Sequence, residues 1–171
     1  MSAVYSSYRP VSQACRAALV VVAILAATTA IAAESKHRTP RFVSLRNNVI
    51  NVRTGPGQRY PVQWVLRRRF MPVEIVAEFD TWRKIRDWEG AIGWVHQRTL
   101  SGRRSIIVTG KLRTLKRKPR RDAPVVARAE PKAVGRLLSC RGAWCRVEIQ
   151  GHRGWLRRHA FWGVYPKEMI K

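Results

Sequence analysis

NVRTGPGQRYPV, residues 51–62, starts as a strand and stops abruptly. Val49, Ile50 and Val52 are β-formers. Gly55-Pro56-Gly57 breaks the run, and Tyr60-Pro61-Val62 restarts it. Glycines beside an arginine can cradle an anion, whereas prolines fix φ and end strand pairing, which makes a corner. A second copy of the stretch decides between the two. At a shift of 63 residues Val52 meets Leu115, Pro56 meets Pro119, Pro61 meets Pro124 and Val62 meets Val125. TLKRKPRRDAPV thus keeps both prolines and neither glycine, so the two copies share a corner and not a cradle. Arg53, Arg59 and Tyr60 are left to face a ligand.

The repeat continues down the chain. At a shift of 62, Trp82 meets Trp144 and Ile85 meets Val147; at 61, GWVHQRTLSG (93–102) lies on GWLRRHAFWG (154–163). Ordered matches of this kind mark internal duplication, here as units over 41–107 and 108–171, the second ending in a short tail. Each unit is strand-rich. Val73, Ile75 and Ala77 alternate with Glu74, Val76 and Glu78; Trp82 to Arg86 alternates again, and so does Trp144 to Ile149. Turn signals at Asp80-Thr81, Glu89-Gly90, Arg141-Gly142 and Gln150-Gly151 separate the runs, and no apolar run has helical period. Short strands with regular turns in units this small predict an all-β fold, two small antiparallel barrels in tandem. Ser105-Ile106-Ile107-Val108 is a candidate strand shared between them.

The hairpin SCRGAWCRV, with Gly142-Ala143 as its turn, sets Arg141 opposite Trp144 and Cys140 opposite Cys145. Opposed residues point to the same side, so a cross-strand disulfide is geometrically reasonable. Period two places Leu138, Cys140, Cys145, Val147 and Ile149 on one apolar face.

NVRTGPGQRYPVQWVL, VEIVAEFDTWRKIR and GAIGWVHQRTL together resemble a bacterial SH3-like domain of the exported type. CRGAWCRVEIQGHRGWLRRHAFWGVYP, with Pro119 and Pro124 before it, is similar to a variant form of the same family. The resemblance implies a five-stranded barrel per repeat in a cell-envelope protein that binds rather than catalyses, often near peptidoglycan.

Residues 1–33 carry their own message. Arg9 and Arg16 precede the apolar run AALVVVAILAATTAIAA (17–33), which ends in Ala30-Ile31-Ala32, the pattern of a cleavable secretory signal peptide rather than a membrane anchor. Residues 34–40 are polar and read as a loose lead-in. A periplasmic or secreted location is expected for the remainder, and with it a compartment in which disulfides persist.

Charge narrows the partners. There are 34 Lys+Arg against 10 Asp+Glu in 171 residues, a formal net charge of +24, and removal of residues 1–33 lowers it by only two. Such an excess favours anionic company. Its clusters are Arg67-Arg68-Arg69, Lys116-Arg117-Lys118 with Arg120-Arg121, and Arg157-Arg158, candidates for binding a polyanion through counterion release. The export signal argues against nucleic acid and leaves cell-wall polymer, an envelope protein, lipopolysaccharide or anionic lipid, with the membrane met only through the signal segment.

No catalytic set emerges. A set Cys140, Cys145, His152, His159 would space its histidines too widely for the usual zinc pattern. No phosphate-loop lysine follows Gly57. Neither cofactor nor metal is expected. Trp82 and Trp88 with Lys84 and Arg86 share one strand side by period two, and Trp144 with Arg146 repeats the arrangement. Indole beside cations is a platform for sugar rings or extended peptide; the same tryptophans could instead cover a barrel end. Trp94 and Trp155 are expected in the core. The reading is a non-enzymatic envelope-binding protein, with peptidoglycan or a wall-associated protein as first ligand. A polyanion-binding cationic protein and an accessory subunit of a cell-wall hydrolase are the alternatives.

Overall fold

A computed structural model describes residues 39–171; the expected signal peptide lies outside these residues. The chain from Arg41 onward is all strand and turn. The first repeat runs β1 (Arg41–Leu45), β2 (Ile50–Arg53), β3 (Val62–Leu66), β4 (Pro72–Phe79), β5 (Trp82–Arg86), β6 (Ile92–His96) and β7 (Leu100–Ser101). The second runs β8 (Ser105–Val108), β9 (Arg113–Lys116), β10 (Val125–Ala129), β11 (Val134–Arg141), β12 (Trp144–Ile149), β13 (His152–Arg157) and β14 (Phe161–Trp162). Both sheets are antiparallel and have one topology, β3-β2-β6-β5-β4-β1-β7 and β10-β9-β13-β12-β11-β8-β14. Each has seven strands, not the five that the resemblance implies. A 3₁₀ turn after each Gly-Trp strand (97–99, 158–160) returns the chain as a two-residue strand, β7 or β14, against the first.

Each sheet curls around its own core. Leu66 from one end of the strand order and Leu100 from the other join Val52, Val73, Ile85 and Val95 in one cluster. Leu115, Leu137, Val147, Leu156 and Phe161 do the same in the second. Gly93 and Gly154 make this possible. A Cβ on Gly93 would sit 2.4 Å from Val52, and one on Gly154 2.7 Å from Leu115. The residues two positions on, Val95 and Leu156, also point inward, so Trp94 and Trp155 are half-buried on the outer face rather than in the core. Period two explains this correction, because the glycine occupies the inward position beside each tryptophan.

The duplication reaches individual hydrogen bonds. The first corner is closed by Thr54 N–H to Pro61 O, Gly57 N–H to Gly55 O and Tyr60 N–H to Gly57 O, at 3.1, 3.0 and 3.3 Å. The second repeats each bond 63 residues later: Arg117 to Pro124, Arg120 to Lys118 and Ala123 to Arg120, at 3.0, 2.8 and 3.4 Å. Left-handed backbone recurs too, at Phe70 and Lys132 and at Asp80 and Gly142. Both long hairpins carry a β-bulge, at Val76 and at Leu138. The bulge inserts one residue and flips the alternation before it. Leu137 therefore enters the core, and Leu138 does not join the apolar face expected of it. The hairpin tip keeps its register, with Cys140 paired to Cys145 and Arg141 to Trp144, and the two cysteines form a disulfide.

The repeats pack directly on each other. β8 hydrogen-bonds only within the second sheet, but its faces divide: Ile106 and Val108 enter the second core and Ile107 the first. From β1, Phe42 turns outward onto Trp162 and Tyr165, with ring centroids 4.8 and 4.7 Å away. The tips cross over: Lys132 reaches the Trp88 ring of the first repeat at 5.2 Å, and Phe70 lines one cavity with the Gln150-Gly151 turn of the second. Both repeats fall in a single compact unit.

Candidate functional site

One concavity recurs in both repeats. In the first it lies beside the 51–62 corner, between β2, β5 and β6, with a volume of about 300 Å³. In the second it lies beside the 114–125 corner, between β9, β12 and β13, at about 360 Å³. Their walls correspond position by position: Asn51 with Thr114, Arg53 with Lys116, Gln58 with Arg121, Trp82 with Trp144, His96 with Arg157, and Thr99 with Ala160. The corner loop forms one rim and the 3₁₀ turn the other. Trp82 and Trp144 therefore line open grooves, at equivalent places.

Each indole is set by its cross-strand partner. Trp82 pairs with His96, whose imidazole stands edge-on to it at 5.5 Å. Trp144 pairs with Arg157, whose guanidinium lies over the ring at 5.0 Å. A cation over an aromatic face is attracted by the ring quadrupole. His96 is itself held, its Nδ1 accepting from the Arg98 N–H at 3.2 Å. His96 was not singled out from the sequence, and Arg157 was read there only as part of a basic run, because the β5–β6 and β12–β13 registers that bring them to the tryptophans are not written in either strand alone. The 61-residue shift that matches them to each other was the available signal.

The other predicted residues divide. Arg53 faces the groove but is not free: its guanidinium donates to Gln58 O at 3.0 Å and Tyr60 O at 2.7 Å, stapling the corner. Tyr60 lies across the glycines, and a Cβ on Gly55 would sit 2.4 Å from its ring. In the second corner Tyr60 is replaced by buried Ala123 and Gly55 by Lys118, so the glycine serves the ring and not an anion. Arg59 stacks on Tyr60 from outside, 5.3 Å from the ring centre. Trp88 is not beside Trp82. β5 ends at Arg86, and the Asp87 carboxylate accepts from the N–H groups of Glu89 and Ala91 at 3.0 and 2.8 Å, turning the chain. Trp88 packs against the first core and under Lys132, at the junction.

The basic runs also separate. Arg67-Arg68-Arg69 sit at the β3–β4 turn, where Arg68 donates to Lys132 O at 2.7 Å and Arg69 stacks on Phe70 at 4.7 Å, away from the groove. Of the second run, Lys116 and Arg121 line a groove, whereas Arg117, Lys118 and Arg120 stand exposed on the corner, Arg120 3.4 Å from Asp122.

A different cavity, of about 350 Å³, opens in the first repeat between Arg41 and Arg83. Its counterpart in the second repeat holds the C-terminal tail. Arg104 there pairs with the Glu168 carboxylate, and Arg158 donates to the backbone oxygens of Tyr165 and Glu168 at 2.9 and 2.7 Å. Burial is the largest influence on the Glu168 carboxyl and pushes its pKa up. The Arg104 hydrogen bond, the Tyr165 N–H and the nearby guanidinium charges together outweigh it and hold the group below the usual value of 4.5.

Each groove sets an indole among amide, hydroxyl or cationic side chains. Cys140 and Cys145 are joined to each other, so neither offers a thiolate to a metal or a substrate. A flat indole in an open channel with donors on both rims can stack on a sugar ring or an extended peptide and orient it.

The family model for the bacterial SH3 domain matches the chain twice, over residues 46–102 and 112–163, one match per sheet. Comparison with curated proteins returns no match. Among solved structures the chain is similar to NlpC2 from Trichomonas vaginalis, with TM-score 0.36 and 12% identity over 77% of this chain and 51% of that one. It is similar also to NlpC1 from the same organism, with TM-score 0.34 and 15% identity over 75% and 48%. The chain thus spans about half the length of each. Two matches that together cover more than half of the sequence, on two sheets of one topology, establish that the chain belongs to the bacterial SH3 domain family.

Proposed function

We propose that this is an exported, non-catalytic binding protein that holds cell-envelope polymer, peptidoglycan first, in its two tryptophan grooves. The observation that carries the reading is the recurrence of one groove at one place in both repeats, with an indole in its wall each time. Corners, bulges and turns repeat because the fold needs them; an open, half-exposed tryptophan is not needed by a barrel core, and its retention beside a channel favours a ligand. Family membership supports the class of partner without naming it. Export rests on the sequence pattern of residues 1–33.

The test is tryptophan fluorescence with soluble glycan-peptide fragments released from purified wall. Saturable change that disappears in Trp82→Ala/Trp144→Ala, with the fold intact by circular dichroism, supports the reading. Saturable binding that survives the double substitution places the ligand elsewhere and overturns it. A second reading, a cationic protein held on polyanions by charge alone, draws on the net charge of +24. It requires binding that ignores the tryptophans and vanishes with moderate salt.

A further inference from the structure

The two grooves differ in one systematic way. Going from the first to the second, Ile50 becomes Arg113, Gln58 becomes Arg121 and His96 becomes Arg157, while Arg53 becomes Lys116. In the first groove the one permanent cation, Arg53, is spent on the carbonyls of Gln58 and Tyr60. In the second, Arg113 is engaged by Thr109 O at 3.3 Å, but Lys116, Arg121 and Arg157 form no ion pair among the described residues. A few arginines elsewhere are compensated, as Arg86 is by Glu74, Arg104 by Glu168 and Arg153 by Glu148, but with 34 Lys+Arg against 10 Asp+Glu many are not; the second groove stands out because several cations line one channel. Cations gathered along one channel are a costly arrangement, since like charges repel, and an incoming anion relieves it.

From this we infer that the second groove is specific for a saccharide bearing an anionic group, a carboxylate or a phosphate, whereas the first takes an uncharged stretch of polymer. The Trp144 face offers stacking to the sugar. Arg157, held at that ring, and Arg121, on the corner rim, present forked donors that match either oxyanion. Lys116 adds a point charge between them. The inference rests on the groove reading above and adds the ligand chemistry to it. The duplicated protein then reads two features of one polymer, which raises its effective affinity when both lie within reach.

Titration calorimetry of the full chain at fixed ionic strength tests this. The probes are N-acetylglucosamine tetramer, the same tetramer carrying a 6-phosphate, oligogalacturonate of equal length, inorganic phosphate, and a single-stranded oligothymidylate. The expected result is that at least one of the two anionic saccharides binds roughly tenfold or more tighter than the neutral tetramer, as a charge-assisted contact supplies. Arg121→Gln/Arg157→Gln should erase that preference, and Arg67→Gln/Lys167→Gln, with the same charge change outside both grooves, should keep it. Which anionic probe wins identifies the group read. Equal binding of neutral and anionic saccharides, with loss on Trp82→Ala/Trp144→Ala, overturns the charge inference and leaves the groove reading standing. No saccharide binding at all overturns both. Inorganic phosphate binding as tightly as the saccharides, or oligothymidylate binding tighter through Trp144, overturns the saccharide assignment.

Discussion

The Tyr165 hydroxyl donates a hydrogen bond to the Glu74 carboxylate at 2.8 Å, joining the end of the second repeat to the fourth strand of the first. Glu74 is only 2% exposed and also accepts from Arg86. A buried carboxylate that loses a donor keeps its desolvation cost, so Tyr165→Phe should destabilise the protein by about 1.5 kcal/mol, the low end for a bond to a charged group. Because Phe42, Trp162 and Ile107 tie the repeats at the same junction, the wild type should unfold in one transition. Denaturant titration followed by fluorescence and by circular dichroism checks both points; non-coincident curves for the wild type would show that the repeats are not coupled. Burial, then the bond to Glu74 and its charge, raises the Tyr165 phenol well above its ordinary 10.0. Its contribution is therefore complete below pH 10.0 and is lost as pH rises through the raised value.

The tail responds at the acid end. The Glu168 pKa is depressed, so the stability it lends is present above the ordinary 4.5 and is lost as pH falls through the lower folded value. Methyl resonances of Ile170, which packs on the second core, should shift on acidification below pH 4.5 in the wild type. Glu168→Gln should already show the released spectrum at neutral pH, and an unchanged Ile170 signal in that variant would contradict the docking role.

Glu78 and Arg83 face each other across the first long hairpin, at the two positions that Cys140 and Cys145 occupy in the second. A covalent bridge stands where the other copy has an ion pair. The bridge closes a very short loop, so Cys140→Ser/Cys145→Ser should lower stability by about 2 kcal/mol on the chain-entropy account. Intact-mass measurement before and after reduction should show the gain of two hydrogens in the wild type, and thermal denaturation gives the loss.

Gly55 and Tyr60 form a matched pair that the second repeat replaces with Lys118 and Ala123. Gly55→Ala alone forces the ring off its seat, an overpacking that costs about 1–3 kcal/mol. Combined with Tyr60→Ala, the same substitution should cost much less than the two singles added together. Additive losses in a double-mutant cycle would mean that the glycine serves some other end.

These particulars show what the sequence could and could not carry. The Cys140–Cys145 pairing was legible because the turn at Gly142 lies next to it and leaves no room for a slip in register. The corner was legible because its prolines appear twice. The bulges at Val76 and Leu138 were not, since an inserted residue of the same apolar type leaves no mark, and they moved Leu137 into the core in place of Leu138. Trp88 was misplaced because Asp87 ends β5 with its own carboxylate, a local turn that period-two counting runs straight through. Trp82 and Trp144 were found as candidates, but the grooves around them are made by strands distant in sequence, and so His96, and the place of Arg157 over Trp144, came only with the fold.

The most direct measurement is retention of the full chain by purified sacculi over a salt series, comparing wild type with Trp82→Ala/Trp144→Ala. At about 0.15 M salt, where exposed charges are screened beyond about 8 Å, the wild type should sediment with the sacculi and the double variant should stay largely in solution. Equal retention of the two proteins, abolished in both by added salt, would contradict the paired grooves and leave charge as the whole of the interaction.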